Sequence, residues 1–446
     1  MASCAKDTAP ASTGPAVLRL PRKAKSVIFL HMEGGPSQVD TFDPKPRLAA
    51  ENGQPLKIDA PLRMKKERVF QSPFKFTQHG QSGIPISELF PHLSRVVDHL
   101  CVIRSMVSEH ADHGTASYFL CTGHALRGRP SMGSWFSYGL GSANENLPAY
   151  IVMHDGEQLA GGPEMLGNGF LPAKHAHTQL GEGPEPLQNL RRREPTAALQ
   201  QRKLAAIREL NRGDIDLKGG NSQLESMIEN YELAFRMQSS VLESVDLAGE
   251  SEATKKLYGI DDPHTQIYGT RCLRARRLVE RGVRFIQLVS PDLTNFAADM
   301  IRWDQHTELV AGHRLNASLI DKPVAGLLTD LHNRGLLDET LVLWGGEFGR
   351  TPTAQSNFTQ FKIGRDHNPW GFSMWMAGGG IKGGTIHGAT DEYGFRSVEN
   401  IVTMHDLHAT ILHLCGIDHT ALTYRFGGRD VRLTDVYGDV IKDILA

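Results

Sequence analysis

Six mostly apolar runs along the chain predict β-strands that are buried on both faces. Each run is four to seven residues long, and most are bounded by glycine, proline or polar residues. Short apolar runs of this kind are typical of strands inside a mostly parallel sheet. The predicted strands are Val27–Leu30, Leu100–Ile103, Ala149–Met153, Val283–Val289, Leu341–Trp344 and Phe372–Ala377.

Two segments have helical periodicity. One lies between the fourth and fifth predicted strands, and the other follows the sixth. Leucines recur at roughly three- or four-residue spacing over His313–Arg334, and apolar residues do so over Asp406–Cys415, each segment being followed by a glycine. This spacing places one apolar face along a helix, and a glycine commonly ends it. The alternation of strands and helices predicts an α/β fold, a doubly wound and mostly parallel sheet flanked by helices.

Composition divides the chain into parts. Residues 1–22 are rich in Ala, Ser, Thr and Pro, which predicts a flexible tail. We expect residues 23–446 to form an α/β domain, with a mainly helical insertion at about residues 190–282, where the chain is charged and rich in glutamine. The glycine- and proline-rich stretch Asp155–Asn189 is long enough to be a functional surface loop.

Charge, hydropathy and cysteine content exclude several classes of protein. The net charge of −2 gives no reason to expect a nucleic-acid partner. No apolar run reaches the ~20 residues that a membrane-spanning helix needs. The five cysteines show no Cys-x-x-Cys spacing. Four of them lie in apolar surroundings, where a buried free thiol is expected rather than a disulfide or a zinc ligand.

Carboxylates and imidazoles gather near the ends of predicted strands. Glu33 follows the first strand and Glu347 follows the fifth, each beside two glycines. The carboxyl ends of the strands in an open α/β sheet form the edge at which ligands bind. Such side chains are ligands of Zn²⁺, Mn²⁺ and similar ions. They occur in four clusters, namely Glu33–Asp43, Glu109–Thr115, Trp303–His306, and Glu347 with Asp366 and His367.

A structural role for each single residue stays open. Glu33 and Asp40 have the chemistry of turn caps. Asp304 and His306 are also compatible with a surface ion pair, and His113 with a hydrogen-bonded core histidine. Ion-pair networks gather the same kinds of groups as catalytic sites do. Four clusters at one predicted sheet edge nevertheless favour a shared metal site.

Several stretches resemble one known family. They include KSVIFLHMEGGPSQVDTFDPKP, WDQH, LLTDLHNRGLLDETLVLWGGEFGRTP, GRDHNPWGFSMWMAGGGIKGG and DLHATILHLCGIDH. In these stretches the chain is similar to the domain of unknown function 1501 (DUF1501) family, sulfatase-like proteins of the alkaline phosphatase superfamily, from about Lys25 to the C-terminus. The resemblance implies an alkaline-phosphatase-like fold and a metal-dependent hydrolase of phosphate or sulfate esters.

The resemblance also assigns individual positions. Glu33 stands where the superfamily has a metal-binding Asp, and Glu347-Phe348-Gly349 resembles its Asp-His-Gly sequence. His367 precedes a strand in the same manner as a superfamily histidine. This chain departs from the pattern in having two glutamates instead of aspartates and Phe348 instead of histidine. It also lacks a Cys-x-Pro-x-Arg sequence, so the formylglycine chemistry of sulfatases is not supported.

We therefore predict a centre for one or two divalent metal ions, with Zn²⁺, Mn²⁺ and Ca²⁺ as candidates. Six side chains are the predicted ligands. One ion is expected among Glu33, His113 and Glu347, and a second among Asp304, His306 and His367.

The predicted catalytic residues are His113, Thr115, Arg350 and Arg365. Attack on the ester is expected from a metal-activated water or from Thr115, while Arg350 or Arg365 holds the anion. The expected substrate is an anionic small-molecule or polysaccharide ester. The alternative is a non-catalytic, metal-stabilised binding or structural module of the same fold. From the resemblance we also expect a periplasmic or secreted location, whereas the oligomeric state stays open.

Overall fold

The computed structural model describes most of the chain. The described residues are 20–59, 61, 67–154, 159–182, 186–187, 194–218, 232, 235–236, 240–291, 302–355 and 363–446. Residues 1–19 of the predicted tail lie outside them, as do parts of the predicted loop 155–189 and of the predicted insertion. The boundaries of the tail, the domain and the insertion therefore stay predictions.

Eight of the described strands form one central sheet. Numbered along the chain, they are β1 Ser26–His31, β2 Leu100–Met106, β3 Tyr150–Met153, β4 Thr178–Leu180, β5 Phe285–Val289, β6 Thr340–Gly345, β7 Phe372–Ala377 and β8 Thr385–His387. Their order is β8-β2-β7-β6-β1-β5-β3-β4, and only β7 runs antiparallel to its neighbours. The prediction of a mostly parallel sheet is confirmed.

The six predicted strands are all present, and the sheet gains β4 and β8 at its two edges. These edge strands have the sequences Thr-Gln-Leu and Thr-Ile-His, with three residues and one apolar side chain each. Such segments carry no periodic signal. Their backbones become strands because β3 and β2 offer unpaired hydrogen-bonding groups along the sheet edge.

Helices cover both faces of the sheet. Ile28 and Leu30 of β1 belong to a core formed with the helices at 266–280 and 309–333. Val27 and Phe29 belong to a second core, formed with the helices at 113–122, 132–140 and 404–414. Successive strand side chains point to opposite faces, so β1 is apolar throughout because both its faces are buried. The doubly wound arrangement is thereby confirmed.

The described helices, numbered along the chain, are α1 Gln38–Thr41, α2 Pro46–Ala50, α3 His113–Thr122, α4 Met132–Leu140, α5 Ala197–Lys218, α6 Glu252–Leu257, α7 Gln266–Glu280, α8 Leu309–Asn333 and α9 Met404–Leu414. The two predicted helices correspond to α8 and α9. Short 3₁₀ segments occur at Leu93–His99, Pro163–Leu166, Ala173–His175, Leu337–Glu339 and Lys442–Ile444.

Short strand pairs surround this core. They pair Arg68–Val69 with Thr353–Ala354, Phe76–His79 with Ile84–Ser87, Gly349–Arg350 with His367–Asn368, Ala389–Thr390 with Ser397–Glu399, and Tyr424–Phe426 with Arg429–Val431. The pair Gly349–Arg350 and His367–Asn368 brings the chain that follows β6 beside a predicted metal ligand.

Two further findings concern the cysteines and the helices. Cys101, Cys121, Cys272 and Cys415 are buried free thiols, as their apolar surroundings predict. None of the helices in the described part of the chain combines the length and the apolar character needed to cross a membrane.

Helix α9 supports the C-terminal end of α3 through buried histidines. The His408 Nε2 donates to the Leu120 carbonyl at 2.8 Å, and the His405 Nε2 donates to the Gly123 carbonyl at 2.9 Å. The last carbonyls of a helix have no partner within it, so these bonds satisfy groups that would otherwise be buried and unpaired. Burial lowers the pKa of His408 to about 3.

This burial predicts a loss of stability in acid. A histidine with a folded pKa of about 3 and an unfolded pKa near ~6.5 favours the folded state fully above ~6.5 and progressively less below it. Each pH unit below about 6 is expected to remove up to about 1.4 kcal/mol through this residue. We expect His408→Gln to be less stable at pH 7.5 but to show a shallower pH dependence, measured by urea unfolding from pH 7.5 to 4. Parallel curves for the two proteins would contradict the assignment.

Candidate metal centre

Four of the six predicted metal ligands come from three separate parts of the chain. His113 is the first residue of α3, whose N-terminus is capped by the side chain of Asp112. Asp304 and His306 lie in the segment that precedes α8. His367 lies in the short strand that pairs with Gly349–Arg350 after β6. The fold thus presents one carboxylate and three imidazoles to a common point.

The four side chains converge tightly. One ligand atom from each of His113, Asp304, His306 and His367 lies within 4.8 Å of all the others. Asp304 Oδ1 is 3.0 Å from the His113 Nε2, 3.0 Å from the His306 Nε2 and 3.4 Å from the His367 Nε2. In the described part of the chain no other group of three or more His, Cys, Asp or Glu side chains meets this criterion.

The opposite nitrogen of each imidazole contacts an acceptor. His113 Nδ1 is 2.6 Å from Glu347 Oε1, and His367 Nδ1 is 2.6 Å from the Ala111 carbonyl oxygen. His306 Nδ1 contacts the side-chain oxygen of Gln355. In a neutral imidazole these acceptors assign the hydrogen to Nδ1, so each Nε2 carries a lone pair once any second proton has left.

The nitrogens left with lone pairs face one another. His306 Nε2 and His367 Nε2 are 2.9 Å apart, and both lie near the carboxylate of Asp304. Lone pairs at this distance repel unless protons or a metal ion lie between them. Nδ1 donors held by protein acceptors, with Nε2 directed at a common point, are the usual arrangement around metal-binding histidines. The donor set therefore fits a divalent transition metal.

The four side chains of the cluster are partly exposed to solvent. The side chains of His113 and His367 are 20% and 15% exposed, and those of His306 and Asp304 are 34% and 37% exposed. Structural zinc sites are closed by their protein ligands, whereas catalytic sites keep a position for water or substrate. The partial exposure is that of a site accessible to a small molecule.

Glu347 lies behind the four ligands and is fully buried. The Oε1 atom of Glu347 accepts the Gly34 N–H at 3.0 Å, and the same oxygen lies 2.6 Å from His113 Nδ1. This carboxylate therefore orients the imidazole of His113 and stands outside the four-residue set. Its Oε2 is 4.0 Å from the Nε2 of the buried His31.

Glu33 also stands outside the set. It is 1% exposed, its Oε1 accepts the Ala160 N–H, and its Oε2 is 2.6 Å from an Nη1 of Arg302. Burial raises the pKa of Glu33 to about 7, while the charge of Arg302 acts in the opposite direction. The predicted loop that begins at Asp155 thus reaches the site through Ala160.

Arg350 is fully buried and is used to hold the site together. Its Nε donates to the Gly35 carbonyl at 3.0 Å, and its Nη2 donates to the Gly34 carbonyl and, at 2.6 Å, to Asp304 Oδ1. Its Nη1 donates to the Arg365 carbonyl at 3.2 Å. These partners do not support the predicted anion-holding role of Arg350.

Arg365 has an equally buried and separate environment. Its Nε and Nη2 donate to the two carboxylate oxygens of Asp40 at 2.7 and 3.2 Å. Both side chains are fully buried, and Ser37 donates a further hydrogen bond to the same carboxylate. This two-point ion pair fixes the segment that leads into His367, and it does not support the predicted anion contact of Arg365.

Thr115 lies in the first turn of α3. Its backbone N–H donates to Asp112 Oδ1 at 2.8 Å, and its hydroxyl also lowers the pKa of Asp112 through a hydrogen bond, against the effect of burial. The described contacts of Thr115 are therefore those of a helix N-terminus. Thr115 is not among the residues whose ligand atoms converge.

The ligand cluster is strongly coupled electrostatically. Burial opposes the charge on Asp304, but hydrogen bonds from three histidines hold its pKa well below the usual range. Burial also lowers the pKa of His113, yet hydrogen bonds to Asp304 and Glu347 outweigh it and raise that pKa to about 9. A hydrogen bond to Asp304 raises the pKa of His306, and burial lowers that of His367. Without a metal ion, His113 therefore keeps a second proton at neutral pH.

The sequence does not reveal three residues that contact the predicted ligands, namely Ala111, Arg302 and Gln355. Ala111 acts through a backbone carbonyl, which no side-chain pattern reveals. Gln355 lies nearly fifty positions from the histidine that it contacts (a separation of 49). Arg302 lies two residues before Asp304 in the sequence. This closeness to a predicted ligand was the one sequence signal that could have pointed to Arg302.

Fold and site together define an α/β protein with a candidate centre of three histidines and one aspartate. The chain belongs to the family described as "Protein of unknown function (DUF1501)", which it matches over residues 24–445. None of the curated proteins compared matches the sequence.

Solved structures with a similar arrangement of the chain include three of known activity. The PsFucS1 sulfatase from Pseudoalteromonas sp. is 14% identical, with 89% of this chain and 68% of that chain covered and a TM-score of 0.39. The phosphonate monoester hydrolase SpPMH from Silicibacter pomeroyi is 12% identical, with coverages of 74% and 68% and a TM-score of 0.35. The alkaline phosphatase of the Antarctic bacterium TAB5 is 10% identical, with coverages of 88% and 99% and a TM-score of 0.32.

Removing a ligand is expected to abolish tight metal binding. Asp304→Asn and His367→Ala should each lower Zn²⁺ affinity by more than about 100-fold. Glu347→Gln keeps all four ligands but loses the charge that orients His113, and should cost about 10–100-fold. Competition with a chromophoric chelator measures these affinities. The exposed His264, which contacts Ser318, provides the matched control His264→Ala. Unchanged affinity in Asp304→Asn would exclude this centre.

Metal affinity is also expected to rise with pH. Without metal, His113 keeps a proton below its pKa of about 9, and this proton must leave before Nε2 binds an ion. Between pH 6 and 8 the affinity should therefore increase by at least about tenfold per pH unit. Titration calorimetry in buffers of different ionisation enthalpy measures the protons released. A binding constant that is independent of pH would show that His113 is not a ligand.

Proposed function

We propose that this protein is a metal-dependent hydrolase of phosphate or sulfate esters. The observation that carries the proposal is the convergence of three imidazole Nε2 atoms on one oxygen of Asp304, in a cluster that solvent reaches. The ester class comes from the resemblance of the sequence to the sulfatase-like family. The arrangement of donors supports the metal, and the partial exposure of the four side chains supports a substrate.

The donor set narrows the choice of ion. Three imidazoles and one carboxylate favour Zn²⁺ or another transition metal such as Mn²⁺ over Ca²⁺, which takes six to eight oxygen ligands. When bound, such an ion supplies positive charge to the transferring group and lowers the pKa of water. His113, Asp304, His306 and His367 would hold the ion.

The chain's own residues prepare the site for an anion. The ligand cluster lies at the N-terminus of α3, a ten-residue helix whose positive end favours negative charge. Glu347 fixes the ring of His113, and Arg350 fixes the carboxylate of Asp304. Because each group is held by buried partners, little reorganisation is needed when charge develops on the substrate.

Water is the nucleophile that the geometry favours over Thr115. The backbone N–H of Thr115 is bound to Asp112 at the start of α3, and Thr115 is not among the residues whose ligand atoms converge. The side chains of the cluster are partly exposed, so water reaches them directly. We also propose an exported location, periplasmic or secreted, on the basis of the family resemblance alone.

The test is a panel of aryl phosphates, phosphodiesters, phosphonates and sulfates, with the protein loaded with Zn²⁺ or Mn²⁺. We expect the wild-type protein to hydrolyse at least one class. His367→Ala should lose about a thousandfold or more, because it removes a ligand of the ion that stabilises the transition state by several kcal/mol. Release of the chromogenic alcohol measures the rate.

Two comparisons sharpen this test. Thr115→Ala should retain most of the activity if water attacks, and a loss equal to that of His367→Ala would instead make the threonine the nucleophile. A wild-type protein with full metal content that turns over no ester would refute hydrolysis. It would favour the alternative of a metal-stabilised binding or structural module.

A further inference from the structure

The buried carboxylate of Glu33 has a protein cation as its partner. Glu33 lies two residues after the end of β1, at a position where the sequence predicts a metal ligand. In the structure its Oε2 is 2.6 Å from Nη1 of Arg302, and the carboxylate is 1% exposed. A buried carboxylate requires a cation or hydrogen-bond donors, and here the guanidinium supplies the positive charge.

The backbone holds Arg302 at this position. Arg302 adopts a φ of 55°, a left-handed conformation that is uncommon for residues other than glycine. The next residue, Trp303, donates its N–H to the Glu33 carbonyl at 3.1 Å. A Cβ atom on Gly34 would lie only 2.7 Å from the Trp303 nitrogen. This close approach, which only glycine permits, places the guanidinium beside Glu33.

Glu347 completes a potential second cation position. Its Oε1 is used by Gly34 and His113, but its buried Oε2 has no hydrogen-bond partner among the described residues. Glu347 is a neighbour of Glu33, because its Oε1 accepts the N–H of Gly34, the residue that follows Glu33, at 3.0 Å. Two adjacent buried carboxylates are a typical setting for a divalent cation, and Arg302 already occupies the side of Glu33.

We propose that Arg302 replaces a second metal ion, so that this chain binds one ion, at His113, Asp304, His306 and His367. The guanidinium neutralises Glu33 and excludes a cation from the position between Glu33 and Glu347. The two-ion arrangement predicted from the sequence is thereby reduced to one ion and one fixed arginine. This inference rests on the metal centre of the proposed function and is independent of ester hydrolysis.

Arg302 also has a consequence for an anionic ester. An ionised Glu33 with no cation beside it would repel a phosphate or sulfate group at the nearby cluster, and a protonated Glu33 would lose its ion pair. The ion pair removes that repulsion, and it does so without a second bound ion. A chain of this kind is expected to respond to a single equivalent of metal.

Metal stoichiometry tests this inference. Purified protein is stripped with a chelator, incubated with excess Zn²⁺, desalted and analysed for metal per chain by mass spectrometry. Wild type and Arg302→Lys are expected to hold one ion. Arg302→Gln removes the competing charge and is expected to gain a second, weaker ion, which the double variant Arg302→Gln/Glu33→Gln loses again. Arg314→Gln, at an exposed arginine that pairs with Glu88, is the matched control and should keep one ion.

Each result decides the inference. Two ions in the wild-type chain, or one ion in both wild type and Arg302→Gln, would overturn it. If Arg302→Gln folds poorly, the number of ions bound per wild-type chain still tests the inference. Titration calorimetry on Arg302→Lys gives a second measurement of the number of ions bound. A wild-type chain that binds one ion but hydrolyses no ester would refute the proposed function and leave the role of Arg302 in place.

Discussion

The site depends on three hydrogen bonds that fix the far side of each imidazole. Glu347, Gln355 and the Ala111 carbonyl each hold an Nδ1, and this leaves three Nε2 atoms directed at Asp304. Without those bonds the rings would be free to turn away from one another. With them, lone pairs are forced together, and the free energy of that arrangement is recovered only when protons or a metal ion bind. The same bonds therefore set both the metal affinity and its pH dependence.

Buried arginines transmit this constraint to the fold. Arg350 joins the carbonyls of Gly34 and Gly35 to the carboxylate of Asp304, so it binds the turn after β1 to the loop before α8. Arg365 joins Asp40 to the segment that carries the third histidine. Removing one member of a buried ion pair leaves an uncompensated charge, which is strongly destabilising. Removing one member of such a pair is therefore expected to disrupt both the candidate metal centre and the carboxyl edge of the sheet.

The charges are arranged in layers. Glu33 and Glu347 lie fully buried, paired with Arg302 and with the ring of His113. In front of them the four ligand side chains are partly exposed. The buried glutamates are neutralised by protein partners. The partly exposed side chains of the cluster are the ones that a substrate could reach. The two glutamates predicted as ligands thus lie outside the converging cluster, where they contact Arg302 and His113.

The sequence by itself determined the six inner strands, the helices α8 and α9 and the family, and it singled out the three histidines and the aspartate that converge in the structure. These features are local, because apolar periodicity and the residues that follow a strand end are properties of neighbouring positions. Only the tertiary structure decided the partners of Glu33, Glu347, Arg350 and Arg365, and it alone added the edge strands β4 and β8. His113 and Glu347, for example, are 234 residues apart. Whether a carboxylate binds a metal, an arginine or a histidine depends on what the fold places within about 3 Å of it, the length of a hydrogen bond, and no local pattern contains that information.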